Sequence, residues 1–265
     1  MDPPLRALSL CAGIGGLDLA ARRVLGARTI GLVERDAAAL EVLAARMEEG
    51  SLDPAPAWSD LATFDGRPWR GAVDLILAGY PCPPFSSAGL RRGERDTRHL
   101  WPEVARIIRE VGPSVVVLEN VAGHLRLGFD QVLGDLAALG FDAEWATVRA
   151  SDAGAPHRRE RVFVLAYTRG RGFESLRRCG IQHQERTPHG HDPDRCGPHM
   201  GWPLGPRGDW AGVPEHLWPA TEPIIRGGAD GAPGRLDRLR LLGNAVCPPQ
   251  ATLALEELLS RVTHA

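Results

Sequence analysis

The chain contains no lysine, so every one of its 31 basic residues is arginine. With abundant Ala, Gly and Pro, that usage fits a GC-rich coding sequence. Arginine also suits bidentate recognition of phosphate or guanine. No apolar run reaches the roughly 18 residues that a membrane-spanning helix needs. The amino-terminal residues lack the cationic stretch and long apolar core of an export signal. A cytoplasmic protein with no membrane partner is therefore expected. Net charge is only −2, so bulk electrostatics give no sign of a nucleic-acid ligand, and a local patch would have to supply one. Cys11, Cys82, Cys179, Cys196 and Cys247 are an odd number, widely scattered, which predicts reduced thiols instead of a disulfide framework. With 43% apolar and 24% charged residues among 265, the composition is that of a soluble globular chain. Its length allows one domain or a large domain with a small companion.

Residues 1–167 alternate strand-like and helix-like segments. Ala7 to Cys11, Thr29 to Glu34, Val73 to Ala78, Ser114 to Glu119 and Arg161 to Tyr167 read as strands. Leu17 to Leu25, Asp36 to Glu49, Trp101 to Val111 and Asp130 to Leu139 read as helices, with Asp36 a cap and Pro102 suited to a first turn. Alternation of this kind predicts an α/β doubly wound sheet. Composition changes after Tyr167: residues 168–234 are rich in Gly, Pro, His and Trp and show little periodicity, so a small irregular insertion is expected there. Helical pattern returns from Leu236, with Ala251 to Val262 amphipathic. The large domain is thus expected over 1–167 and 235–265.

Gly79-Tyr80-Pro81-Cys82-Pro83-Pro84-Phe85-Ser86 follows a buried-strand pattern. A thiol on a proline-stiffened loop beyond a strand's carboxyl end is a candidate nucleophile, and a buried cysteine filling a turn is the alternative. Cys11-Ala12-Gly13-Ile14-Gly15-Gly16 joins the first strand to the first helix, where backbone N–H groups favour an anion. Asp18 stands where a dinucleotide fingerprint has its third glycine. Glu34 ends the next strand, placed to accept from ribose hydroxyls. A nucleoside cofactor with a carboxylate in place of a pyrophosphate fits this pattern, and S-adenosylmethionine is such a molecule. Glu119, also at a strand end, becomes a candidate proton donor with a raised pKa when it faces a nucleophile. Alternation would put Arg159 and Arg161 on one face, available to phosphate or a base carbonyl.

In order and spacing these motifs resemble the DNA (cytosine-5)-methyltransferases, over about three-quarters of the chain. The resemblance implies a Rossmann-like S-adenosylmethionine methyltransferase fold. It implies cofactor contacts from Cys11, Ala12, Gly13, Ile14, Gly15 and Gly16, from Glu34 at the ribose, from Arg35, and from Asp60 and Leu61 at the adenine. Pro81, Leu100, Asn244 and Ala245 complete that set. It makes Cys82 the nucleophile, Glu119 the acid at cytosine N3, Arg159 and Arg161 the paired arginines, and Ser86 a DNA contact. Gly243-Asn244-Ala245-Val246 resembles the terminal motif that returns to the cofactor. Some residues depart from the pattern: Cys11 replaces a usual aromatic, Pro83 and His157 replace usual glutamines, and the arginine-rich motif before the last block is reduced to Gly234–Leu239.

The implied reaction is methyl transfer from S-adenosyl-L-methionine to cytosine C5 in double-stranded DNA, on a flipped-out base. The implied protein is a monomer, with room for a cognate restriction endonuclease as partner. Residues 168–234 would read the target, with Arg169, Arg171, Arg177 and Arg178 as DNA contacts. A tRNA-cytosine methyltransferase of the same fold, a catalytically inactive DNA-binding relative and a nicotinamide oxidoreductase are the alternatives. The missing third glycine weighs against the last of these. Cys179, His183, Cys196 and His199 are spaced only loosely like a zinc set, and a His-rich loop with incidental thiols is favoured, so no metal is expected.

Overall fold

Short apolar runs at residues 6–10, 75–78 and 115–121 become the centre of a seven-stranded sheet. The computed structural model describes residues 3–81, 100–155, 157–186 and 243–264. The strands are β1 (Arg6–Leu10), β2 (Arg28–Val33), β3 (Ala57–Trp58), β4 (Leu75–Ala78), β5 (Val115–Val121), β6 (Phe141–Arg149) and β7 (Glu160–Thr168). The helices are α1 (Gly16–Leu25), α2 (Ala37–Glu48), α3 (Trp101–Val111), α4 (Phe129–Ala138), α5 (Arg171–Arg186) and α6 (Pro248–His264).

Strand order is β3-β2-β1-β4-β5-β7-β6. The first five strands are mutually parallel, and β7 runs antiparallel to both β5 and β6. Connections run outward from β1 toward β3 on one side and from β4 on the other, so the order reverses between β1 and β4. A ligand crevice opens at such a switch point, beyond the carboxyl ends of the strands.

The sheet is covered on both faces, which is why its central strands are uniformly apolar. Along β5, Val115 and Val117 join the core beneath α1, α5 and α6, while Val116 and Leu118 join the core beneath α3 and α4. The inward stripe of α6 is Ala251, Ala254, Leu255, Leu258, Leu259 and Val262, the spacing of one helical face. Each of its three buried leucines contributes up to about 1.5–3 kcal/mol. Asp36 caps α2, its carboxylate accepting from the N–H groups of Ala38 and Ala39.

Three elements differ from the sequence expectation. Strand β3 is only two residues long. Strand β6 is interrupted by Asp142, Glu144 and Ala143, so its period is weak, yet it pairs with β7 along its whole length. The irregular stretch expected from residue 168 instead begins with the regular helix α5. Its Leu176 and Cys179 are buried in the core shared with α1 and α6. Gly172 lets α5 approach closely, since a Cβ there would lie 2.3 Å from the carbonyl oxygen of Ser114. Helix α5 therefore packs against α1, α6 and the sheet through Leu176 and Cys179, and residues 187–242 lie outside the described residues.

Candidate active site

Register across the sheet assembles the site. Leu10 pairs with Ala78, and Ala78 with Leu118. The next residues, Cys11, Gly79 and Glu119, therefore emerge side by side at the carboxyl edge. A Cβ built on Gly79 would lie 3.6 Å from Glu119 Oε2, 3.5 Å from Val246 Cγ2 and 3.8 Å from the carbonyl oxygen of Cys11. Four separate parts of the chain thus converge on one crevice. Tyr80 and Pro81 continue from Gly79; Cys82 and Ser86 lie outside the described residues.

Antiparallel β7 begins at this same edge, so its first residues reach the site. Val121 pairs with Arg161, and Arg161 Nε lies 3.1 Å from Glu119 Oε1. Burial raises the pKa of Glu119, and the charges of Arg161 and Arg159 oppose that rise without reversing it. This buried carboxyl thus has the raised pKa expected of a proton donor.

Arg159 does not share the orientation of Arg161. It precedes β7 with a left-handed φ of 31°, so strand alternation does not extend to it. Its guanidinium donates to the carbonyl oxygens of Gly243 at 2.8 Å and Ala245 at 2.5 Å. The side chain of Gln250, buried at the start of α6, donates to the carbonyls of Val148 and Arg159. Arg159 and Gln250 together fasten the terminal segment 243–247 over the crevice. Asn244 and Ala245 lie on that segment, and Val246 meets the glycine loop: a Cβ on Gly16 would sit 2.2 Å from the carbonyl oxygen of Val246. Sequence reasoning missed Gln250 because its role depends on packing between distant segments.

The glycine loop is shaped by its neighbours. Gly13 and Gly15 take left-handed φ values of 55° and 80°. Glu34 Oε2 accepts from the Gly13 N–H at 2.6 Å, while Oε1 accepts from the N–H groups of Arg35 and Asp36, both at 2.8 Å. Ile14 offers its carbonyl to Arg46 from α2, and Ala12 is buried against α2. Among the described residues, nothing lies within 4 Å of a Cβ built on Gly13, so a ligand has space there. Asp18 is buried and accepts from the hydroxyls of Ser9 and Thr29, filling the place of the third glycine with a polar tie between α1 and the sheet. Asp60 turns its own loop by accepting from the N–H of Ala62, Leu61 is buried, and Leu100 caps α3 half-buried. Burial, with Glu34 adding to it, pushes the Cys11 thiol up to about 12, and burial also raises that of Cys247. Both thiols are therefore poor nucleophiles.

The arginines expected at DNA are not brought to this crevice. Arg169 and Arg171 follow the carboxyl end of β7, at the sheet's opposite pole, about 25 Å from Arg161 at roughly 3.3 Å per residue. They pair there with Asp142 and Asp74, at 2.8 Å and 2.7 Å. Arg177 and Arg178 pair within α5, with Glu174 and Ser175. Cys179 is buried and donates its S–H to the Leu25 carbonyl, whereas His183 contacts Glu256. Cys196 and His199 lie outside the described residues.

A glycine turn, an acid just beyond β2 and a polar edge at the switch point make a crevice of the kind in which Rossmann-like sheets hold nucleoside ligands. A profile of the C-5 cytosine-specific DNA methylases matches residues 5–193, and the chain belongs to that family. It is 35% identical over 167 residues to the type II methyltransferase M.NgoMIV of Neisseria gonorrhoeae, covering 60% of this chain and 50% of that protein. It is 34% identical over 164 residues to M.CviJI of Paramecium bursaria Chlorella virus IL3A, covering 61% and 42%. The chain thus spans about half the length of the curated relatives it matches. Among solved structures, one described as a DNA modification methyltransferase encoded within an E. coli prophage aligns with a TM-score of 0.51 and 26% identity, covering 62% of this chain and 47% of the other. A mutant form of Spodoptera frugiperda DNMT2 aligns at 0.52 and 21% identity, covering 63% and 51%, which shows a shared fold. Among the described residues, no helix is long and apolar enough to cross a membrane.

Proposed function

We propose that this chain transfers a methyl group from S-adenosyl-L-methionine to C5 of cytosine in double-stranded DNA. The observation that carries this reading is the buried Glu119 paired with Arg161, set beside the strand that leads to Pro81-Cys82 and across from the glycine loop. The open face of Gly13 and the acid Glu34 fit the cofactor's nucleoside, with Asp60, Leu61 and the Arg159-held segment around it. When bound, S-adenosyl-L-methionine supplies an electrophilic sulfonium methyl.

The chain's own residues prepare the base. Cytosine C5 is a poor nucleophile until the Cys82 thiolate adds to C6 and the ring's electrons shift toward C5 and N3. Glu119 gives its proton to N3, and Arg161 polarises the O2 carbonyl, so negative charge is neutralised as it forms. After C5 is methylated, N3 returns its proton to Glu119, a base takes the C5 proton and the C6–S bond breaks, releasing Cys82. A base stacked in a duplex cannot meet these groups, so the reading requires that it be flipped out.

Base readout falls to the stretch beyond α5, since Arg169 and Arg171 are engaged at the opposite pole and Arg177 and Arg178 within the helix. The type II names of the relatives support a setting beside a restriction endonuclease. The test is incubation with labelled cofactor and either mixed-sequence duplex DNA or tRNA, followed by mapping of 5-methylcytosine. Label in duplex DNA at a recurring short sequence is expected; label confined to tRNA, or to a position other than C5, would overturn the reading.

A further inference from the structure

Two contacts tie the strand leading to Cys82 to the strand carrying Glu119. Asn120, the neighbour of Glu119, donates from Nδ2 to the Tyr80 carbonyl at 3.2 Å. The Tyr80 hydroxyl lies 3.2 Å from Nε2 of His124, on the short 3-10 turn (Ala122–Arg126) that follows β5. Tyr80 stands two residues before Cys82.

The pair is enclosed by aromatic rings. Tyr80 and His124 are each 4% exposed, and their rings meet edge to face at 5.9 Å. Trp101 packs on Tyr80 at 5.6 Å and is itself anchored by donating Nε1 to Asp135. Phe129 packs on His124 at 6.1 Å. Two phenylalanines would fill such a wall without the cost of burying polar atoms. A hydrogen bond adds what apolar packing lacks, a fixed direction and distance in a low-dielectric setting.

We propose that His124 is a positioning residue for catalysis: through the Tyr80 hydroxyl it fixes where the chain leaves β4 toward Cys82, relative to Glu119. The proposal rests on the cytosine-methylation reading above, in which nucleophile and acid must address opposite parts of one ring. Productive geometry of that kind tolerates errors of only about 0.5 Å.

The test uses the full chain with Tyr80→Phe, His124→Phe, the double variant and His124→Gln. The readouts are the single-turnover rate of covalent adduct formation on 5-fluorocytosine duplex DNA at saturating cofactor, cofactor affinity by calorimetry, and melting temperature. Tyr80→Phe keeps the ring and its packing, so it answers the question even if His124→Phe fails to fold. Each Phe variant is expected to slow adduct formation about tenfold with cofactor affinity unchanged. The double variant should be no slower than the worse single one, because the two groups act as a unit. His124→Gln, which retains a hydrogen-bonding group, should recover part of the rate. Wild-type rates in Tyr80→Phe, losses that multiply in the double variant, or a parallel fall in cofactor affinity would overturn the proposal. A wild-type chain that forms no adduct would overturn the methylation reading, and this proposal with it.

Discussion

Arg161 Nε lies 3.1 Å from Glu119 Oε1, across the ladder of two antiparallel strands. The relationship exists because β7 reverses direction, so that residues at its beginning stand beside residues at the end of β5. It leaves a carboxyl group that is both buried and paired. Burial dominates, and the carboxyl keeps its proton to higher pH than an ordinary glutamate.

That balance predicts a pH profile. Transfer should decline as pH rises through the raised pKa of Glu119, because the proton needed at N3 is lost there. In Glu119→Gln the rate should fall by about 10²–10⁴ and this declining limb should vanish. Replacing Arg161 with Met should move the limb to still higher pH, since burial is then less opposed, and also slow the reaction. Single-turnover methyl transfer against pH checks both variants.

Arg159→Ala should act mainly on cofactor binding instead of chemistry. Its two hydrogen bonds to the 243–245 segment contribute about 1–2 kcal/mol in total after allowance for solvent screening. Loss of that much corresponds to roughly five- to thirtyfold weaker affinity by calorimetry. A fall in the chemical step at unchanged affinity would return Arg159 to the role first expected from its motif.

Gly16→Ala tests the same segment from the other side. Gly16 has ordinary helical backbone, so the penalty is purely the 2.2 Å approach of a new Cβ to the Val246 carbonyl. Displacement of the segment should weaken cofactor binding by at least tenfold, about 1.4 kcal/mol. Combined with Arg159→Ala, the losses should be less than additive, because both release the same element.

Asp18 makes stability depend on pH. Burial raises its pKa, although the hydroxyls of Ser9 and Thr29 and the charge of Arg46 partly offset it. A folded-state pKa raised above the unfolded value means that the fold holds the proton more tightly. The stability from this group is therefore fully present below the unfolded pKa and is lost as pH rises through the folded one. Asp18→Asn should remove that decline from denaturant-midpoint measurements taken as pH is raised from the acid range.

Much of this arrangement was legible in the sequence, for physical reasons that also explain the gaps. Continuous apolar runs marked β1, β4 and β5 because both of their faces are buried, and Asp36 and Pro102 marked helix starts by their local chemistry. Strand β6 was hidden because Asp142 and Glu144 weaken its pattern; pairing with β7, not its own composition, makes it a strand. Helix α5 was hidden because it contains Gly172, Gly180 and several polar residues, and packing against α1 and α6 sustains it. Glu34 and Glu119 were legible as strand-end acids. The separate orientations of Arg159 and Arg161 were not, because they depend on one left-handed residue just before a strand begins.

The central claim, that Cys82 attacks the base while Glu119 and Arg161 neutralise it, is tested most directly by covalent trapping. Wild-type chain is incubated with S-adenosyl-L-methionine and duplex DNA carrying 5-fluorocytosine, then run on a denaturing gel beside Cys82→Ser. Fluorine at C5 cannot leave as a proton does, so the final elimination is blocked. The account predicts a denaturant-stable protein–DNA adduct with wild type and none with Cys82→Ser, whose hydroxyl is far less nucleophilic at neutral pH. An equal yield of adduct from Cys82→Ser, or methylation of cytosine by wild type without any trapped species, would contradict it.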